Sequence, residues 1–88
     1  MRTLYYFEAD FGRMGTIDSI FVADDKEVKE AIGKTAYFGE ILGKHSDIIK
    51  DLEEKDFIVT TTDQDFIDKF IKIFGKYACG YNPLAYID

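Results

Sequence analysis

Polar and apolar residues alternate with a period of two from Thr3 to Phe11. Thr3, Tyr5, Phe7, Ala9 and Phe11 fall on one side, and Leu4, Tyr6, Glu8 and Asp10 on the other, the pattern of an amphipathic strand. Gly12-Arg13-Met14-Gly15 is a four-residue connection with glycine at both ends, and Thr16 to Ala23 is rich in strand formers, so the chain is expected to open with a hairpin. Asp24 followed by Glu27 makes a near capping box, Ala23 can staple onto Val28, and Gly33 supplies a stop. These signals predict a short helix over 25–32 with Val28, Ala31 and Ile32 facing inward. A third strand is expected over Thr35–Leu42. In Asp47–Leu52 the residues Ile48, Ile49 and Leu52 suit either one helical face or a short strand, and the strand is preferred.

Phe57–Thr61 combines β-branched and aromatic residues after the charged turn Glu53–Asp56 and predicts a further strand. Thr62, with Asp65 three residues on, is expected to cap the longest helix, in which Phe66, Ile67, Phe70, Ile71 and Phe74 form an apolar stripe before Gly75. The tail from Lys76 to Asp88 is apolar enough, through Tyr77, Ala78, Tyr81, Leu84, Tyr86 and Ile87, to dock on the body of the protein, with a turn at Asn82-Pro83. Paired strands interrupted by helices place the chain in the α+β class: one domain over 1–88, with an antiparallel β-sheet of about 4–5 strands and two α-helices packed on one face.

Composition narrows the function classes. Eight Phe, six Tyr and 47% apolar residues argue for a packed core and against disorder. The single cysteine, Cys79, and the absence of a cationic N-terminal region leading into a long apolar run give the expectation of a reduced, cytoplasmic protein. No stretch approaches the roughly 20 apolar residues of a membrane span. Between Asp47 and Asp68 lie eight acids (Asp47, Asp51, Glu53, Glu54, Asp56, Asp63, Asp65 and Asp68) against two lysines, which accounts for the whole net charge of −6. Direct binding to nucleic acid calls for a basic stripe that this sequence lacks. A basic protein partner suits the charge better, meeting Asp47, Asp51, Glu53, Glu54 and Asp56 together with tyrosines such as Tyr77 and Tyr81. Tyr6 and Tyr86 are further candidates for partial exposure, since tyrosine is favoured where one end of the ring is buried and the other wet.

Catalytic chemistry finds few footholds. Gly33-Lys34-Thr35 and Gly43-Lys44 invite a test for a phosphate loop, but position 28 is Val and Gly39 stands one residue too close to Gly43, so neither encloses a phosphate as the Walker spacing does. His45 is the one side chain whose ordinary pKa lies near neutrality. Its neighbour Ser46 points away from it on an extended chain, and the surroundings of Cys79 carry no positive charge to favour a thiolate. One His and one Cys do not make a zinc site, and Asp63-Gln64-Asp65-Phe66-Ile67-Asp68 opens like a calcium loop but has Ile fifth and no glycine sixth. No cofactor, metal or enzymatic activity is expected. Glu40, Lys44 and His45 form the alternative site, that of a small ligand-binding domain or enzyme.

Tyr37-Phe38-Gly39-Glu40-Ile41-Leu42-Gly43-Lys44-His45-Ser46 resembles a segment of small proteins of phages and mobile elements. The resemblance covers about ten residues and carries no catalytic residue across. It implies an accessory protein that acts by binding, a group in which inhibitors of host defence complexes occur. Three readings therefore compete: a non-enzymatic acidic module that binds a basic, nucleic-acid-handling protein, in one version by mimicking nucleic acid; the ligand-binding or enzymatic alternative; and a structural unit that forms homodimers through its strand edges.

Overall fold

A computed structural model of the chain describes residues 1–39, 47–75 and 77–87. Its elements are β1 (Arg2–Asp10), β2 (Thr16–Asp24), α1 (Asp25–Ala31), β3 (Thr35–Gly39), β4 (Ile48–Asp51), β5 (Phe57–Thr61), α2 (Gln64–Phe74) and β6 (Tyr77–Gly80). β1 and β2 form the expected hairpin and pair antiparallel along their whole length, from Arg2 opposite Asp24 to Asp10 opposite Thr16. In the turn the Asp10 carboxylate accepts the Gly12 amide at 2.8 Å, and Gly12 and Gly15 take φ of 64° and 113°, values open to glycine at little cost. β5 lies along the outer side of β1 and β6 along that of β2, giving the order β5-β1-β2-β6. β3 and β4 make a separate antiparallel pair. The strand preferred for 47–52 is present as β4, while residues 40–42 of the expected third strand lie outside the described residues.

Both helices begin on carboxylate caps. The Asp24 side chain accepts the Lys26 amide at 3.0 Å and Glu27 accepts the Asp24 amide at 3.2 Å, completing the expected capping box of α1. For α2 the cap is Asp63, not Thr62: one Asp63 oxygen accepts the amides of Asp65 at 3.0 Å and Phe66 at 3.3 Å. A carboxylate at the cap satisfies two orphan amides and meets the positive end of the helix dipole, which a hydroxyl one residue earlier does less well. Gly75, with φ of 82°, ends the helix as expected.

The fold is a mixed α+β arrangement in three layers. Alternation along β1 and β2 sends Tyr5, Phe7, Ala9, Ile17, Phe21 and Ala23 to one face of the four-stranded sheet. There they bury against Val28 and Ala31 of α1, Ala36 and Phe38 of β3, and Ile48, Leu52 and Phe57. The rings of Tyr5, Phe7, Phe21 and Phe57 pack edge to face and offset, the arrangements that aromatic quadrupoles favour. The other face carries Leu4 and Val22, which are buried against Ile67 of α2. The two helices therefore occupy opposite faces of the sheet, whereas the sequence reading placed them on one. The reason lies in the strand period: Leu4 and Val22 are apolar at positions that alternation turns away from Tyr5 and Phe21, and a second apolar face must find its own cover. The tail docks as expected, with Pro83–Tyr86 forming a short 3-10 turn against the α1 side of the molecule.

Within α2 the apolar stripe is wider than its buried part. Ile67 is fully buried, Phe70 and Ile71 pack partly against the smaller core, and Phe66, Ile73 and Phe74 are exposed. Ile67 is thus the centre of the helix's contact with the sheet. Ile67→Ala is expected to destabilise the protein by roughly 2–5 kcal/mol through the cavity it leaves, and Phe66→Ala to change stability by no more than about 0.5 kcal/mol. Urea unfolding of the two variants checks the orientation of α2; a larger loss for Phe66→Ala would show the helix turned the other way.

Candidate binding surface

The acids between 47 and 68 turn out to be largely occupied with holding the fold. Asp56 is buried, accepts the Glu53 amide at 3.0 Å and lies 3.4 Å from Lys50 Nζ. Glu53 lies 3.2 Å from the same lysine nitrogen and 3.5 Å from Lys55 Nζ. Hydrogen bonding to Lys50, and the charges of Lys55 and Lys50, hold the Glu53 carboxyl below its ordinary pKa. Burial works against the charge on Lys50, yet Glu53 and Asp56 outweigh it and raise the ammonium pKa. Asp51 accepts the Thr35 hydroxyl at 2.7 Å across β3 and β4, Asp63 caps α2, and Asp68 pairs with Arg2. Asp47 and Glu54 are exposed, Asp47 before β4 and Glu54 in the 3-10 turn that leads into β5.

Tyr81 is partly buried and packs against Phe38 and Tyr86; Tyr77 begins β6, where its backbone pairs with Phe21. Glu40, Lys44 and His45 lie outside the described residues. An opening of about 280 Å³ lies between α1 and β5, lined in part by Thr3, Tyr5, Val28, Ile32, Phe57 and Val59. Burial pushes the Tyr5 phenol above its ordinary pKa there.

A surface that sequence reasoning missed lies on the α2 side of the sheet. The pairing register sets three rows of side chains across that face: Leu4 opposite Val22, then Ile58, Tyr6 and Ile20, then Glu8 opposite Asp18. α2 covers the first row through Ile67. On one flank the helix is tied to the start of β1, where Gln64 donates to the Arg2 carbonyl at 2.9 Å and Asp68 pairs with Arg2. The opposite flank, which carries the ladder of Phe66, Phe70 and Phe74 rings, therefore looks along β1 toward Tyr6. Ile58 is 53% exposed, Phe66 51%, Phe74 62% and Ile73 71%. The stepped apolar surface so formed, the groove, has the phenylalanine ladder as its wall and the Ile58-Tyr6-Ile20 row as its floor, with Ile20 packed in part against Leu4, Val22 and Ile67.

Carboxylates form the other rim. Glu8 and Asp18 stand directly opposite each other on neighbouring strands, a like-charge pairing that disfavours the sheet. The Tyr6 hydroxyl relieves it by donating its single proton to Glu8 at 2.7 Å, with an Asp18 oxygen sharing it at 3.3 Å. No lysine or arginine among the described residues forms an ion pair with either acid. The signal was available in the turn: with Asp10 opposite Thr16, counting back along both strands brings Glu8 to Asp18.

No family model, curated protein or solved structure matches the chain. Among the described residues no three His, Cys, Asp or Glu side chains are grouped to hold a metal ion, and no helix is long and apolar enough to cross a membrane.

The bond to Glu8, reinforced by burial and by the charges of Glu8 and Asp18, pushes the Tyr6 phenol from its ordinary 10.0 up to about 12. Because the folded-state value is raised, the stability contributed by these bonds is present below pH 10.0 and is lost as pH climbs through about 12. Ultraviolet titration of the tyrosines should show Tyr6 ionising late, alongside the burial-shifted Tyr5, and the double change Glu8→Gln, Asp18→Asn should bring the Tyr6 phenol alone back toward 10.0. An unchanged titration curve would place the Tyr6 hydroxyl away from the carboxylates.

Proposed function

We propose that this protein is a non-enzymatic module that binds a basic protein partner through the groove beside α2. The observation that carries this reading is the exposure of Phe66, Ile73 and Phe74 on α2 and of Ile58 on β5, on the same side of the sheet. Scattered exposed apolar residues need no explanation, whereas an apolar strip formed by one flank of a helix and the adjoining sheet marks a contact surface. Phenylalanine and tyrosine give such a surface large contact area with few rotatable bonds, a feature of the residues that dominate binding energy.

The charge argues for the sign of the partner. A net charge of −6 on 88 residues favours encounter with a positively charged surface and repels an acidic one. Of the acids first considered, Glu53, Asp56, Asp63 and Asp68 already serve caps and ion pairs, so Glu8 and Asp18 are better placed to meet a cation. The same acidity disfavours nucleic acid itself as the ligand. An accessory protein or inhibitor acting on a nucleic-acid-handling protein fits this description, with the groove rather than the 47–56 segment as its contact.

The test is a quantitative pull-down with the parent and with the double variant Phe66→Ser, Phe74→Ser, both checked for an unchanged fold by circular dichroism. Retention of one or a few basic proteins is expected, with recovery reduced at least tenfold by the variant, about 1.4 kcal/mol of binding. Equal recovery would remove the groove from the contact. Recovery lost instead on replacing Asp51, Glu53 and Glu54 by their amides would return the site to the acidic segment.

A further inference from the structure

From the groove's geometry we infer that its occupant is an amphipathic, cationic helix of the partner, lying beside α2 on the same face of the sheet, with a Lys or Arg on the Glu8–Asp18 pair. This rests on the binding reading above and adds to it the secondary structure and chemistry of the bound segment.

The dimensions argue for a helix. β1 and β2 are nine residues long, about 30 Å at about 3.3 Å per residue, whereas a helix with its side chains is roughly 10–12 Å across. α2 starts close to Arg2, sits on Leu4 and Val22 and reaches β6, so it runs across the strands and covers little more than a third of their length. The next two rows, at Tyr6 and Glu8, are spaced about 7 Å apart along β1 and offer the width that a second helix needs. Helices packed side by side stand about 8–10 Å apart, which would bring the incoming helix against Phe66 and Phe70 while it rests on Ile58, Tyr6 and Ile20. An extended segment is the poorer occupant, because the groove is on a sheet face rather than at an edge and offers no backbone groups to pair with a strand. A helix satisfies its own backbone and needs only an apolar stripe.

Charge complementarity fixes the other side of that stripe. Glu8 and Asp18 face each other across β1 and β2, and no described lysine or arginine pairs with them. A cation between them would turn the least favourable cross-strand pair of the sheet into a favourable one. A second copy of this chain that presented its own α2 is a poor source of that cation, since Lys69 and Lys72 lie on the polar side of the helix away from its apolar stripe.

The probe is a synthetic 14-residue peptide of leucine and lysine with leucines at helical spacing, titrated into isotopically labelled protein and followed by amide chemical shifts. A peptide with glutamate in place of every lysine is the control. Perturbations are expected at Tyr6, Ile20, Ile58, Phe66 and Phe70 with the lysine peptide only. Glu8→Gln with Asp18→Asn should weaken binding about tenfold at low salt and flatten its salt dependence, while the fold, relieved of a like-charge pair, keeps its melting temperature. Perturbations confined to other residues, equal binding of both peptides, or indifference to the double change would each overturn the inference, as would dilution-dependent shifts at the same amides without peptide, which would identify a second copy as the occupant. A natural partner that depends on Phe66 and Phe74 but not on Glu8 and Asp18 would leave the binding reading standing and remove only the cationic helix. A partner indifferent to all four would remove the binding reading itself.

Discussion

The antiparallel register between β1 and β2 is the constraint from which the remaining contacts follow. Because side chains alternate, the pairing of Tyr5 with Phe21 and of Leu4 with Val22 divides the hairpin's apolar residues between two faces. Each face then recruits its own cover: α1, the β3–β4 pair and the C-terminal turn on one side, α2 on the other. A slip of one residue would exchange the two sets and leave the ring cluster of Tyr5, Phe7 and Phe21 facing a helix built for Leu4 and Val22. The turn at Gly12–Gly15 guards against that slip, since its length and its positive φ angles fix which residues meet.

The two faces are covered to different extents. On the α1 side the ring cluster is nearly sealed, with Phe7 and Phe21 fully buried. On the α2 side one eleven-residue helix lies over strands that continue past it, and both the helix flank and the sheet floor remain apolar where they meet water. Half-covered sheets of this kind are costly to keep exposed unless something occupies them. The acidic residues follow the same division: Asp51, Glu53, Asp56, Asp63 and Asp68 hold a strand pair, a turn, a cap and ion pairs in place, and Glu8 and Asp18 stand at the open end of the groove.

Much of this arrangement was legible in the sequence because it rests on local chemistry. The alternation at 3–11, the capping box at Asp24 and Glu27, the glycine stop at Gly75 and the strand at 57–61 depend on neighbours a few residues away. The side of the sheet that each helix covers does not. Phe66, Ile67, Phe70, Ile71 and Phe74 span an arc wide enough for several orientations, and only packing against Leu4 and Val22 makes Ile67 the buried centre. Counting charge along the chain drew attention to 47–68, where acids are dense. It passed over Glu8 and Asp18, ten positions apart, whose proximity arises in the hairpin. Asp56 and Glu53 likewise read as free surface charge until Lys50 is brought beside them by folding.

Gly80 stands with φ of 84° where any side-chain carbon would collide with the carbonyl oxygen of Asp18, and that same carbonyl accepts the Tyr81 amide at 3.1 Å. Tyr81 in turn packs its ring on Phe38, in the core opposite the groove. Residue 18 is therefore a rivet through the sheet: its carboxylate belongs to the rim of the open groove, and its carbonyl clamps the chain that closes the sealed core behind. The carboxylate and the carbonyl of a single residue thus serve opposite faces of the sheet, only a few covalent bonds apart.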